Sequence, residues 1–107
     1  MKNYILKTLL KEKNNNLKGM LYHNLQIKFA YNSNHIEGST LTEEQTRHIF
    51  ETNSFFVENE TVKVKDVIET LNHFKCFDFI IEHANEKLSE KYIKKLHFLL
   101  KSNTSDS

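Results

Sequence analysis

The sequence has no proline, two glycines and one cysteine in 107 residues. One cysteine excludes an internal disulfide framework and any zinc site built on several thiolates. Two glycines leave no room for a glycine-rich phosphate cradle. Of 15 basic residues only Arg47 is arginine, the side chain best suited to forked recognition of phosphate and carboxylate. Apolar runs are only a few residues long, so nothing spans a membrane. The amino terminus, from Met1 through Leu/Lys alternation, offers no signal-peptide cleavage site, and a cytoplasmic protein is expected. The net charge of +1 gives no global field to steer the chain onto nucleic acid or acidic lipid.

What is present favours helices. The length suits one domain burying roughly two-thirds of its unfolded surface, and eight Phe and four Tyr make its buried positions large. Asn3 is expected to cap a short first helix with Ile5, Leu6, Leu9 and Leu10 on its apolar face, ended by Asn14-Asn15-Asn16. A second helix is predicted from Leu17 to about Ile36, with Leu17, Leu21, Leu25 and Phe29 as its stripe, widened by Met20, Ile27 and Tyr31, and Gly38 closing it in a left-handed conformation. Thr42-Glu43-Glu44-Gln45 is a capping-box pattern opening a helix to about Thr52. Phe55 to Val64 is expected to form a short hairpin or extended loop. From Lys65 to Ala84 the helical period returns, and the second half is apolar nearly all round, as suits the centre of a bundle. Ser89 is expected to cap a last helix carrying Ile93, Leu96, Leu99 and Leu100. The expected fold is therefore all-α: a bundle of about five helices over residues 1–101, with 102–107 a disordered polar tail.

Most candidate chemistry has a plain structural explanation. The six histidines, His23, His35, His48, His73, His83 and His97, include no pair at the i, i+4 spacing of a metal helix. Cys76 lies in the most apolar stretch and suits a small core residue better than a nucleophile. Lys91, Lys94 and Lys95 share a helix face with glutamates, which makes a solvated surface rather than a phosphate grip. Glu43 and Glu44 sit where the helix dipole favours carboxylates. The exception is Ser33-Asn34-His35-Ile36-Glu37-Gly38-Ser39. It places a carboxylate in the last turn of a helix, where the carbonyl end is already negative. A glutamate there is either indifferent or held by a cationic partner.

Ser33-x-x-x-Glu37-Gly38 resembles the inhibitory motif [S/T]-x-x-x-E-[G/N] of Fic proteins. Thr40-Leu41-Thr42-Glu43-Glu44-Gln45-Thr46 is similar to the T-L-T-x-x-[EQ]-T that follows it in the family. Glu69-Thr70-Leu71-Asn72-His73 resembles the family's E-x-L-N-H, and Leu88-Ser89 through Leu96-His97-Phe98-Leu99-Leu100 looks like its L-[ST]…I-x-x-L-H-x-x-L helix. The resemblance covers about residues 17 to 101. It implies a parent enzyme that moves AMP from ATP onto a hydroxyl of a target protein with Mg²⁺ assisting. In such enzymes the inhibitory glutamate pairs with the second arginine of H-x-F-x-[D/E]-G-N-G-R-x-x-R and blocks the productive position of the ATP γ-phosphate. By this match Glu37 is the inhibitory residue, with Ser33 and Gly38 its motif partners. A guanidinium from another helix would suit a glutamate facing the negative end of its own.

The 107 residues contain no match to that catalytic motif, and neither His73 nor His97 is followed by Gly-Asn-Gly. The chain thus resembles the regulatory amino-terminal half of a Fic protein. It is expected to be inactive alone, to hold no catalytic residue, metal or cofactor of its own, and to need the catalytic half in cis or in trans. An alternative is a free-standing helical protein that inhibits a Fic enzyme in trans; a site-less bundle binding nucleic acid is the least favoured. With the partner half absent, an apolar patch around Phe74, Phe77 and Ile81 and self-association into a homo-oligomer are expected. Twelve Asn and 14 Lys fit an AT-rich bacterial genome.

Overall fold

The computed structural model describes residues 2–53, 63–84 and 89–102. It is all-helical over these residues, with α1 Lys2–Asn14, α2 Leu21–Ile36, α3 Glu43–Thr52, α4 Val64–Glu82 and α5 Glu90–Lys101. The expected hairpin at Phe55 to Val64 falls almost wholly outside the described residues, as does most of the polar tail; Val64 itself begins α4.

Helix α4 is the hub, packing against each of the other four, as its apolar circumference predicts. Helix α2 runs antiparallel to it, since Tyr22 meets Asp78, Gln26 meets Phe74 and Asn34 meets Thr70. Helices α1 and α3 flank this pair, and among the described helices α5 packs on α4 alone. Ala30, Leu41, Ile49, Val67 and Phe74 form one core cluster, and Leu9, Tyr22 and Ile81 a second. Phe50 packs against both and joins them edge-on through Phe74 and Tyr22.

Local signals explain the boundaries. The Thr42 hydroxyl accepts from the Gln45 backbone N–H at 3.0 Å, and the Gln45 side chain accepts from the Thr42 N–H at 2.9 Å. The predicted capping box thus satisfies two orphan donors of α3. Ser89 caps α5 as expected, its hydroxyl accepting from the Tyr92 N–H at 3.1 Å. Asn72 fastens the other end of α5 by donating to the Leu100 and Ser102 carbonyls at 3.2 and 2.7 Å.

Four expectations are corrected. Helix α1 already includes Lys2, so Asn3 lies inside it rather than capping it. Helix α2 starts at Leu21, not Leu17, because Leu17 belongs to the closure of α1: Asn16 is left-handed and the Leu17 N–H donates to the Glu12 carbonyl at 3.0 Å. Gly19, at φ +72°, then keeps the chain out of a right-handed helix. The stripe Leu17, Leu21, Leu25 points outward; the buried face of α2 is Tyr22, Gln26, Ile27, Ala30 and Asn34. The expected apolar patch at Phe74, Phe77 and Ile81 is not exposed, because Tyr22, Phe50, Leu9 and Phe29 cover it. Exposed apolar surface lies instead on α5, at Ile93 and Phe98, and on α2, at Leu21, Leu25 and Ile36.

Candidate functional site

The Ser33–Gly38 segment ends α2 in a defined closure. Glu37 takes the capping position at φ −84° and ψ 3°, one residue past the last helical turn. Gly38 has φ +96°, the left-handed conformation expected of it, and nothing lies within 4 Å of where its Cβ would stand. Glycine is therefore needed here for its backbone and not for space. The Ser39 N–H donates to the Asn34 carbonyl at 2.9 Å and the Gly38 N–H to the His35 carbonyl at 3.1 Å. Two last-turn carbonyls are thereby satisfied, the arrangement of a left-handed glycine cap.

Three residues at i, i+4 and i+7 on one face of α4 hold this segment. Asp66 accepts from the Thr40 N–H at 3.2 Å and the Thr40 hydroxyl at 3.3 Å. The Thr70 hydroxyl accepts from the Asn34 side-chain amide at 2.6 Å. His73 places Nε2 3.4 Å from Glu37 Oε1. Asp66, Thr70 and His73 are all buried, as is Asn34. The side chain at a helix's carboxyl end leans back toward the amino end. That lean lets Glu37 reach His73, one turn beyond Thr70 on the antiparallel α4.

The Glu37 side chain is nevertheless 54% exposed, and beside it Ile36 is 85% exposed. The carboxylate is thus held on one side and open on the other. His73 packs edge-on against Phe29, with ring centroids 5.9 Å apart. Burial pulls its imidazole below the ordinary histidine range, while the carboxylates of Glu37 and Glu69 pull upward. Its Nδ1 is buried without a partner among the described residues.

Of the residues singled out from sequence, Glu37 and Gly38 therefore share one capped helix end, with Ser33 half-buried one turn earlier in α2. The residues that hold them were missed. Sequence alone gives His73 no catalytic role and marks no part for Asn34, Thr70 or Asp66. The available signal was Asp66, Thr70 and His73 at i, i+4 and i+7, a polar line on a helix otherwise marked by apolar residues.

A second cluster lies at the opposite end of the α2–α4 pair. An open cleft of about 730 Å³ is lined by Glu12, Tyr22, His23, Arg47, Glu51 and Asp78 among others. Several of its polar groups pair with one another. Glu12 accepts from the Tyr22 N–H at 2.7 Å, capping α2 where Met20 offers no side-chain cap. The Tyr22 hydroxyl donates to Asp78, and Gln26 donates to the same carboxylate oxygen at 2.9 Å. His23 and Glu51 pair at 2.8 Å. Burial pushes both the Tyr22 phenol and the Asp78 carboxyl upward. Cys76 is buried and its thiol is likewise pushed up, the opposite of an activated nucleophile. Among the described residues no three His, Cys, Asp or Glu side chains converge as metal ligands, and no helix is long and apolar enough to cross a membrane.

No family model matches the chain, and no curated protein matches it.

Proposed function

We propose that the chain is the regulatory part of a Fic-type protein adenylyltransferase, with Glu37 as its inhibitory carboxylate and Ser33 and Gly38 as motif partners. The single observation that carries the reading is the pairing of Glu37 with His73. It joins the S-x-x-x-E-G segment to the E-x-L-N-H segment, two stretches singled out separately by their resemblance. A half-open carboxylate at a helix carboxyl end is also well placed to receive a guanidinium, through charge-assisted and two-pronged hydrogen bonds. Engaged in that way, the arginine is withheld from a nucleotide phosphate.

On this reading the chain itself performs no transfer. ATP, Mg²⁺, the arginine and the catalytic histidine belong to the catalytic half, and the acceptor is a hydroxyl of a target protein. The test is to read the coding region past codon 107. An in-frame H-x-F-x-[D/E]-G-N-G-R-x-x-R is the expected result and makes Glu37 a brake in cis. A stop codon there, together with no Glu37-dependent co-purification of a separate Fic enzyme, overturns the reading in both its cis and trans forms.

A further inference from the structure

We infer that His73 is a positioning residue for Glu37: its Nε2–H donates to the carboxylate and keeps it over α4 until a stronger cation takes it. Its regulatory meaning rests on the proposed brake; the contact itself does not.

The other two attachments on α4 hold neighbouring residues and leave the Glu37 side chain alone. Thr70 holds Asn34, and Asp66 holds Thr40, on either side of the glycine turn. The Glu37 carboxylate folds back from the carbonyl end of its own helix, where the dipole disfavours it, toward His73. His73 Nε2 stands 3.4 Å from its Oε1, within ion-pair reach and longer than an ordinary N–H···O bond. The ring is well suited to hold a direction, being 7% exposed and wedged against Phe29.

The tautomer follows from the surroundings. Nδ1 is buried with no acceptor in reach among the described residues. A proton on Nδ1 would be a stranded donor, with the desolvation penalty of an unmade hydrogen bond. Nδ1 lacks a partner in either tautomer, but hydrogen on Nε2 faces the acceptor-only Glu37 carboxylate, against which an Nδ1–H ring would set a lone pair. The charged groups acting on the ring are Glu37, from the end of α2, and Glu69, from the preceding turn of α4; among the described residues none acts from α1, α3 or α5. A neutral donor gives a lighter hold than an ion pair. A bidentate guanidinium can therefore displace it without first breaking a salt bridge. The arrangement keeps the glutamate aimed and still available.

The contact is testable on the 107-residue chain by NMR. The His73 ring nitrogens are followed by long-range ¹H–¹⁵N correlation, and the Glu37 side-chain carboxyl carbon by ¹³C shift, across pH 4.5–8. The expected results are an Nε2–H tautomer at neutral pH and an inflection of the Glu37 carbon at the His73 midpoint. In Glu37→Ala the His73 midpoint is expected to move down, because the upward pull of the carboxylate is gone. In His73→Gln, which keeps a donor and loses the titration, the shared inflection disappears. An Nδ1–H tautomer, or a His73 midpoint unmoved in Glu37→Ala, overturns the inference; Glu37 is exposed enough for that variant to fold. Failure here leaves the brake itself standing if the complete coding product gains AMP transfer on loss of Glu37. A confirmed contact with no transfer from that product removes the brake and keeps the contact.

Discussion

Helices α2 and α4 are joined by polar contacts at both ends, but the ends differ in kind. At the amino end of α2, Tyr22, Gln26 and Asp78 form a buried knot: one carboxylate oxygen receives two donors, and Gln26 also donates to the Phe74 carbonyl at 3.2 Å, while Gln26 Oε1 has no partner among the described residues. At the carboxyl end, the buried Asn34 amide donates to Thr70, but Glu37 meets His73 with half of its side chain in solvent. A buried knot sets register and contributes stability, since losing one of its hydrogen bonds would strand a further buried group. An open carboxylate contributes little to stability and keeps its capacity to pair with something else. The same helix pair thus separates a structural end from an end free to act.

The largest expected effect comes from breaking the buried knot. Asp78→Ala removes the acceptor shared by the Tyr22 hydroxyl and the Gln26 amide and should destabilise the chain by about 1–3 kcal/mol. A urea unfolding midpoint measures it, and Asp78→Asn, which keeps an acceptor oxygen, should lose less. If both variants unfold at the wild-type midpoint, the knot is decorative. At the other end Asn34→Ala strands the Thr70 hydroxyl and loosens the seat of the motif, at a cost of roughly 1–2 kcal/mol by the same denaturation.

Acid and base should act on the two ends with opposite sign. Burial raises the Asp78 carboxyl in the folded state, so the folded chain binds that proton more tightly than the unfolded one. Its contribution is fully present below about 3.9, the ordinary aspartate value, and is lost as pH rises through the folded value. Burial lowers His73, so its contribution is present above about 6.5 and is lost as pH falls through its folded value. Subtracting the stability profiles of Asp78→Asn and His73→Gln from that of the wild type isolates each group. Two difference curves sloping the same way would break the comparison. The smallest effect belongs to Glu37→Gln, which should change stability by less than about 1 kcal/mol because the pair is half in solvent. A larger loss would make Glu37 a structural residue.

The two ends were unequally visible in the sequence. Gly38, the Thr42 capping box, the Ser89 cap and the hub role of α4 followed from local chemistry, because the residues that satisfy a cap lie within a few positions of it. The buried face of α2 did not. Leu17, Leu21, Leu25 and Phe29 repeat every four residues, and so do Tyr22, Gln26, Ala30 and Asn34; hydropathy favours the first set. The second set is buried because its polar members find partners on α4, 36 to 56 positions away in sequence. Glu37 was singled out because its place at a helix end conflicts with the dipole. The histidine that answers that conflict is 36 positions on, in the E-x-L-N-H-like segment, and only its place in the line Asp66, Thr70, His73 marks it as facing Glu37.

The most direct test of Glu37 as a brake is AMP transfer by the product of the complete coding region, wild type against Glu37→Gly, with labelled ATP and Mg²⁺. The account predicts faint labelling of protein by the wild type and a rise of at least about tenfold in the variant, the equivalent of losing about 1.4 kcal/mol of inhibition. Equal labelling by the two proteins, or none by either, would contradict it.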